Sequence, residues 1–165
     1  MTRKRSFAHV TDANTRLLIL GSLPGEASLA QSKYYAHPQN AFWKLMSEVV
    51  NENLRAMEYE QRLQALLHHH VGLWDVIAEA RREGSLDSNI ADHAGNDLIG
   101  LLDSLPQLTT IGFNGGTAAR LGLKVLKERA EQYRIVLLPS SSPAHTMAYV
   151  HKLAQWITLR LSLEP

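Results

Sequence analysis

The chain is 165 residues long, with 17 Lys and Arg against 16 Asp and Glu and a formal net charge of +1. That length predicts one domain able to bury a core without covalent staples, and the near-balanced charge argues against a protein that coats nucleic acid non-specifically. There is no cysteine, which excludes disulfides, iron–sulfur clusters, cysteine-bound zinc and a cysteine nucleophile together.

The opening segment, MTRKRSFAHV, is basic but has no apolar core of a secretory signal, and no run approaches membrane-spanning length. With the missing cysteines, this predicts a soluble cytoplasmic protein without a membrane partner. Basic clusters stand at Arg3-Lys4-Arg5, at Arg81-Arg82, and at Lys124 with Lys127 and Arg129. Each reads either as a solvated face or as a local contact for a polyanion.

Leu17, Leu18, Ile19 and Leu20 form a short apolar run expected to be a buried strand. It breaks at Gly21-Ser22-Leu23-Pro24-Gly25, where two glycines and a proline enforce a turn. A long polar loop follows, carrying Tyr34, Tyr35 and His37-Pro38-Gln39-Asn40; loops of this length are more often functional than idle. Phe42, Leu45, Met46, Val49 and Val50 then fall on one helical face, with a second helix over residues 58–69. Residues 71–77 read as a strand with Asp75 near its end, and residues 81–95 as polar and irregular. Asn96 is placed to cap a helix that stops near Pro106.

Residues 109–113 form a third strand, followed by Asn114-Gly115-Gly116 and a helix, with residues 124–132 also helical. Residues 134–138 form a fourth strand, broken at Pro139, and Ser140-Ser141-Ser142-Pro143-Ala144-His145 leads to a last helix. Its buried stripe is expected at Val150, Leu153, Ala154, Ile157 and Leu161. Strands alternating with helices predict an α/β protein, a parallel sheet with helices on both faces. Its strand exits share one edge, and the glycine-rich and polar segments converge there.

Several chemistries fail on residue type. The turn at 21–25 lacks the lysine of a phosphate-binding P-loop and the spacing of a dinucleotide fingerprint. Ser140 to Ser142 with His145 lacks the G-x-S-x-G elbow of a serine hydrolase. His68-His69-His70 stand on a helix end, where successive side chains diverge by about 100°, so no metal site is expected. What remains is a pair of tyrosines, amides, an aspartate and a serine-rich loop. Aromatics stack on flat rings, amides and carboxylates read base edges, and hydroxyls hold phosphates. The set suits a nucleobase.

Gly21-Ser22-Leu23-Pro24-Gly25, the segment from Tyr35 through His37-Pro38-Gln39-Asn40 to Phe42-Trp43, and Leu138-Pro139-Ser140-Ser141-Ser142 resemble the two motifs of the uracil-DNA glycosylase superfamily. The double tyrosine, Gly84-Ser85-Leu86-Asp87 and Phe113-Asn114-Gly115 make the chain most similar to its hypoxanthine-DNA glycosylase branch. The resemblance spans residues 17–145 and implies a three-layer α/β/α fold around a mostly parallel four-stranded sheet. It also implies a monofunctional enzyme of base excision repair that flips a deaminated base (hypoxanthine, uracil or xanthine) from single- or double-stranded damaged DNA and hydrolyses its N-glycosidic bond. No cofactor or metal is implied, and a monomer is expected.

The chain departs from the mismatch enzymes at Leu23, where they carry a water-positioning asparagine, and the motif histidine of classical uracil glycosylases has no counterpart. In the hypoxanthine branch that role maps to Asn40, which is equally placed to cap the following helix. Tyr35 maps to the aromatic that stacks on the flipped base. Gly21, Ser22, Leu23, Asp75 and Asn114 are the remaining base-contacting candidates, Asp75 accepting an N–H and either Asn114 or a backbone N–H of residues 21–25 donating to a carbonyl. Ser85, Ser140, Ser141 and Ser142 are candidates for holding phosphates, and Ala144 with His145 occupy the position of the wedge that fills the vacated stack. A catalytically dead module that binds damaged DNA, with Leu23 as its signature, and an enzyme of free nucleosides are the rival readings.

Overall fold

The computed structural model describes residues 3–164. Among them the chain runs β1 (Lys4–Arg5), β2 (Leu17–Gly21), α1 (Glu26–Gln31), α2 (Phe42–Val50), α3 (Tyr59–His68), β3 (Val71–Asp75), β4 (Ile77–Arg81), β5 (Ala91–Gly95), α4 (Leu98–Asp103), β6 (Thr110–Asn114), α5 (Gly116–Leu126), β7 (Arg134–Leu138) and α6 (Tyr149–Trp156). The main sheet has the order β3-β2-β6-β7 with every pairing parallel. This is the expected four-stranded α/β architecture.

β2 explains the layering. All of its residues are buried, and successive side chains point to opposite faces. Leu17 and Ile19 enter a core with Phe42, Leu45 and Met46 of α2, Leu66 of α3 and Trp156 of α6. Leu18 and Leu20 enter a second core with Leu98, Leu101 and Leu102 of α4 and Ala118 and Leu126 of α5. Full burial contributes about 1.5–3 kcal/mol for each such side chain, so this strand is fixed from both sides. The predicted stripe of α2 is buried throughout.

The structure corrects the reading elsewhere. The strand expected over 71–77 stops at Asp75, and after Val76 the chain passes into a different, antiparallel sheet of order β1-β4-β5. Residues 81–95, expected to be irregular, supply the end of β4 and all of β5. β5 is exposed along its whole length, so it carries no hydrophobic alternation to read. Its backbone pairing with β4 holds it instead, with Arg81 meeting the Asp92 carboxylate and Arg3 donating to the Asp92 carbonyl.

The long polar loop contains α1. Asn96 does not cap α4; Asp97 does, accepting from the Gly100 N–H, while the Asn96 amide donates to the carbonyls of Asp75 and Ile77. Residues 127–132 form a 3₁₀ helix rather than a continuation of α5. The stripe expected on the last helix is misphased. Val150 and Leu161 are exposed, whereas Lys152, Trp156 and Leu159 are buried. The buried face is chosen by polar atoms, because Lys152 and Trp156 both donate to carbonyls of the preceding loop. No helix among the described residues is long and apolar enough to cross a membrane.

Candidate active site

The four parallel strands end at one edge, where Gly21 lies beside Asp75 and Asn114 beside Leu138. The loops leaving them enclose a cleft of about 420 Å³. All the residues singled out from the sequence line it except Gly21, which lies beneath its floor. The convergence is a consequence of topology, since parallel strands deliver their C-terminal exits to the same side.

The turn at 21–25 is held from behind by a member of the basic pair Arg81-Arg82. Arg82 is fully buried, and its guanidinium donates to the carbonyls of Leu23, Pro24 and Gly84. Five fixed N–H donors suit this clamp, which neutral side chains could not match. Ser85 accepts from the Glu26 N–H at 2.9 Å and so ties the hairpin loop to the start of α1. Leu23 turns into a small apolar cluster with Ile77 and Ala80. Ser22 donates to Asp87 at 2.8 Å, which adds a carboxylate to the cleft beside that of Asp75.

The tyrosines divide their work. Tyr34 is buried and donates through its hydroxyl to the Ala8 carbonyl at 2.8 Å, supporting the loop. Tyr35 adopts φ 54°, a left-handed conformation that a bulky side chain rarely takes; such strain, of order 1–3 kcal/mol, persists where the surroundings over-determine it. Its ring stacks on Phe42 with centroids 3.9 Å apart, so one face is already occupied. Its hydroxyl is buried and makes no hydrogen bond of good geometry; burial, reinforced by the nearby Asp75 carboxylate and opposed by the Asn114 side chain, pushes it well above the usual phenol range. Asn40 is half-buried at the head of α2. Its Oδ1 accepts from the Phe42 N–H at 2.9 Å, the capping geometry that sequence allowed, although α2 itself begins after Ala41.

Asp75 forms the floor. It is 3% exposed, and its Oδ2 has no partner. Burial, reinforced by the neighbouring charge of Asp87 and opposed by Arg82, pushes its carboxyl up to about 7. A β-carbon on Gly21 would stand 2.6 Å from Asp75 Oδ1 and 3.0 Å from the Tyr35 hydroxyl. Glycine is thus required where backbone, carboxylate and phenol meet.

The serine-rich loop is fastened at each step. The Asn114 amide donates to Ser141 Oγ and accepts from the Ser141 N–H, both at 2.9 Å. Lys152 reaches the Ser142 carbonyl, and Trp156 the Pro139 carbonyl. Ser141 is buried and serves the loop's own structure, so of the three serines only Ser140 and Ser142 present accessible surface. Ser140 and Ser142 accept from the N–H groups of Ser142 and Ala144. Ala144 and His145 are exposed at the rim. Arg82, Asp87 and Lys152 are the site residues that sequence reasoning missed; the only signal for Lys152 and Arg82 would have been a charge on a face that must be buried. Among the described residues no three His, Asp or Glu side chains gather to hold a metal ion.

These features define an α/β protein whose site is assembled at the carboxyl edge of a parallel sheet from a glycine–proline turn and a serine-rich loop. The description "Uracil DNA glycosylase superfamily" belongs to the family model that matches residues 8–161. A Hypoxanthine DNA glycosylase of Methanosarcina acetivorans is 42% identical over 153 residues, 93% of this chain and 95% of that protein. Another from Methanosarcina barkeri is 38% identical over 154 residues, 93% of this chain and 96% of that one. The solution NMR structure of a Methanosarcina acetivorans chain proposed to be a uracil DNA glycosylase has a TM-score of 0.88 at 41% identity, covering 99% of this chain and 100% of that one. The chain belongs to the uracil DNA glycosylase superfamily. It is a hydrolase of N-glycosidic bonds, with DNA as its substrate.

Proposed function

We propose that the protein is a monofunctional DNA glycosylase that removes hypoxanthine from DNA by base flipping, with uracil and xanthine as further candidate substrates. The observation that carries this reading is the pair of unpartnered buried groups under the cleft, Asp75 Oδ2 and the Tyr35 hydroxyl. Leaving such groups unpaired costs about 1–3 kcal/mol each, a cost that a ligand offering complementary atoms removes. Hypoxanthine presents an N–H beside a C=O: the ionised Asp75 accepts from N1–H, and Tyr35 donates to O6. Adenine presents the opposite polarity, so an ionised Asp75 would face the N1 lone pair unpaired, which disfavours that base. The named activity of the two Methanosarcina relatives supports the choice of base.

The target base must leave the stack, at a cost of a few kcal/mol that is least for a damaged pair. Asn40, at the cleft wall, holds a water against C1′. The C1′–N bond breaks and its electron pair leaves with the base; the water oxygen bonds C1′ and sheds a proton, and the departing base takes up a proton, so the two balance. An amide is a weak base, so the rate comes from placement and from stabilising the departing base. Neither motif offers a lysine to the sugar carbon, and an abasic site, not a nicked strand, is the product.

Excision from labelled oligonucleotides carrying hypoxanthine, uracil or xanthine, single- and double-stranded, tests this with Asn40→Ala alongside. Cleavage visible only after alkali and lost in the variant is the expected result. Binding of these oligonucleotides without excision of any base would overturn it in favour of a damage-binding module.

A further inference from the structure

Most cations of the basic clusters visible in the sequence are consumed by the fold, Lys124 and Lys127 excepted. Arg3 and Arg5 pair with Glu79, Lys4 with Glu26, Arg81 with Asp92 and Arg129 with Asp103, while Arg82 is buried as a clamp. Four cations scattered through the sequence converge instead. Lys33, Lys44, Arg55 and Arg62 line a second cavity, of about 930 Å³, together with a single carboxylate, Glu58. None of the four has an acidic partner within ion-pair distance among the described residues. This cavity shares Tyr34, Tyr35, His37 and Asn40 with the cleft, so the two adjoin across the proposed catalytic asparagine.

Three of the cations are set against aromatic rings. Lys44 Nζ lies 4.0 Å from the Tyr149 ring centroid, Lys33 Nζ 5.7 Å from that of Tyr59, and the Arg62 guanidinium 5.4 Å from that of Trp43. Rings beneath a cation restrain a long side chain without neutralising it, so the positive charge stays available to an incoming anion. The Tyr149 hydroxyl is buried beside this groove with no partner. Uncompensated cations on an ordered aromatic bed, continuous with a pocket for a base, suit a chain of phosphates better than a single small anion.

We infer that this groove binds the phosphodiester backbone of the DNA flanking the extruded nucleotide, with Lys33, Lys44 and Arg55 as its phosphate contacts. The inference rests on the glycosylase reading for its orientation, but its charge argument stands on the groove alone. Lys33, Lys44 and Arg55 are exposed, so their neutralisation spares the core.

The test is fluorescence anisotropy of the full chain with an undamaged duplex between about 50 and about 200 mM salt, where each lost phosphate contact flattens the plot of log K against log salt by about 0.9. The Lys33→Gln/Lys44→Gln/Arg55→Gln variant should flatten the slope by about 2–3, and each single substitution by up to about 1. Lys124→Gln/Lys127→Gln, on the opposite layer, should leave it unchanged. A wild-type slope in the triple variant, or in all three singles should the triple fail to fold, overturns the proposal, as does an equal effect from the control. Excision measured in parallel keeps the two readings apart. Groove-dependent binding with no excision sinks the glycosylase reading alone, and intact excision with groove-independent binding sinks the groove alone.

Discussion

The cleft and the adjoining groove share four residues yet are built on opposite electrostatic terms. The cleft sets two carboxylates, Asp75 and Asp87, near its floor and leaves its unpaired atoms buried. The groove carries its unpaired charges as cations, three of the four over rings. A neutral base must be read by hydrogen bonds in a dry pocket, where an unmatched partner is costly. A phosphate chain is attracted at longer range through water, where matching is loose and salt-dependent. Base reading and strand holding are therefore separable, and substitutions should divide them.

The largest effect is expected in the cleft at Asn40. Asn40→Ala should lower single-turnover excision by about 100-fold or more at any salt concentration, since misplacement of the nucleophile alone costs that much. Because Oδ1 also caps the Phe42 N–H, the variant should lose about 1 kcal/mol of stability as well. Asn40→Asp keeps the capping oxygen, so its melting temperature should stay near that of the parent; a parallel drop in both variants would mean that the residue is structural only.

Asp75→Asn should cost about 10- to 100-fold in excision of hypoxanthine, the range of a hydrogen bond to a charged group, and should move stability the other way. The carboxyl titrates from 3.8 in the unfolded chain to about 7 when folded. A raised value means that its protonated form favours the fold below about pH 4, and that this contribution is lost as pH rises through 7. The variant should melt higher than the parent at pH 8, with the gap closing between about pH 7 and pH 4. In the parent, excision should rise through about pH 7 as the accepting carboxylate forms. A flat profile would remove Asp75 from base reading.

Tyr35→Phe should lower excision by about 10-fold and leave the melting temperature equal or higher, because it removes a buried hydroxyl with no partner. A loss of stability without loss of rate would show the hydroxyl to be bonded within the free protein. The smallest effect belongs to the groove. Lys44→Gln should weaken DNA binding several-fold near 50 mM salt and fade as salt rises, with single-turnover excision at saturating protein unchanged. An effect that persists at high salt would mean that Lys44 acts through the fold of α2.

Sequence alone indicated the parallel sheet, because β2, β3 and β6 are runs that must be buried and β7 reads as apolar although it is only partly covered; the order of the strands came from the structure. Sequence also indicated the edge where Gly21, Asp75 and Asn114 meet, because parallel strands allow one exit side only. Only the tertiary structure decided the antiparallel sheet, since an exposed strand such as β5 is specified by backbone pairing and leaves no pattern. It decided the fates of the charges too. Arg82 and Lys152, which sequence counts with the solvent-exposed cations, are buried as clamps, while Lys33, Lys44 and Arg55, unremarkable in order along the chain, share one groove. Hydrophobic burial is local in its demands and so is written in the sequence; the partner of a charge is whatever the fold brings within a few ångströms.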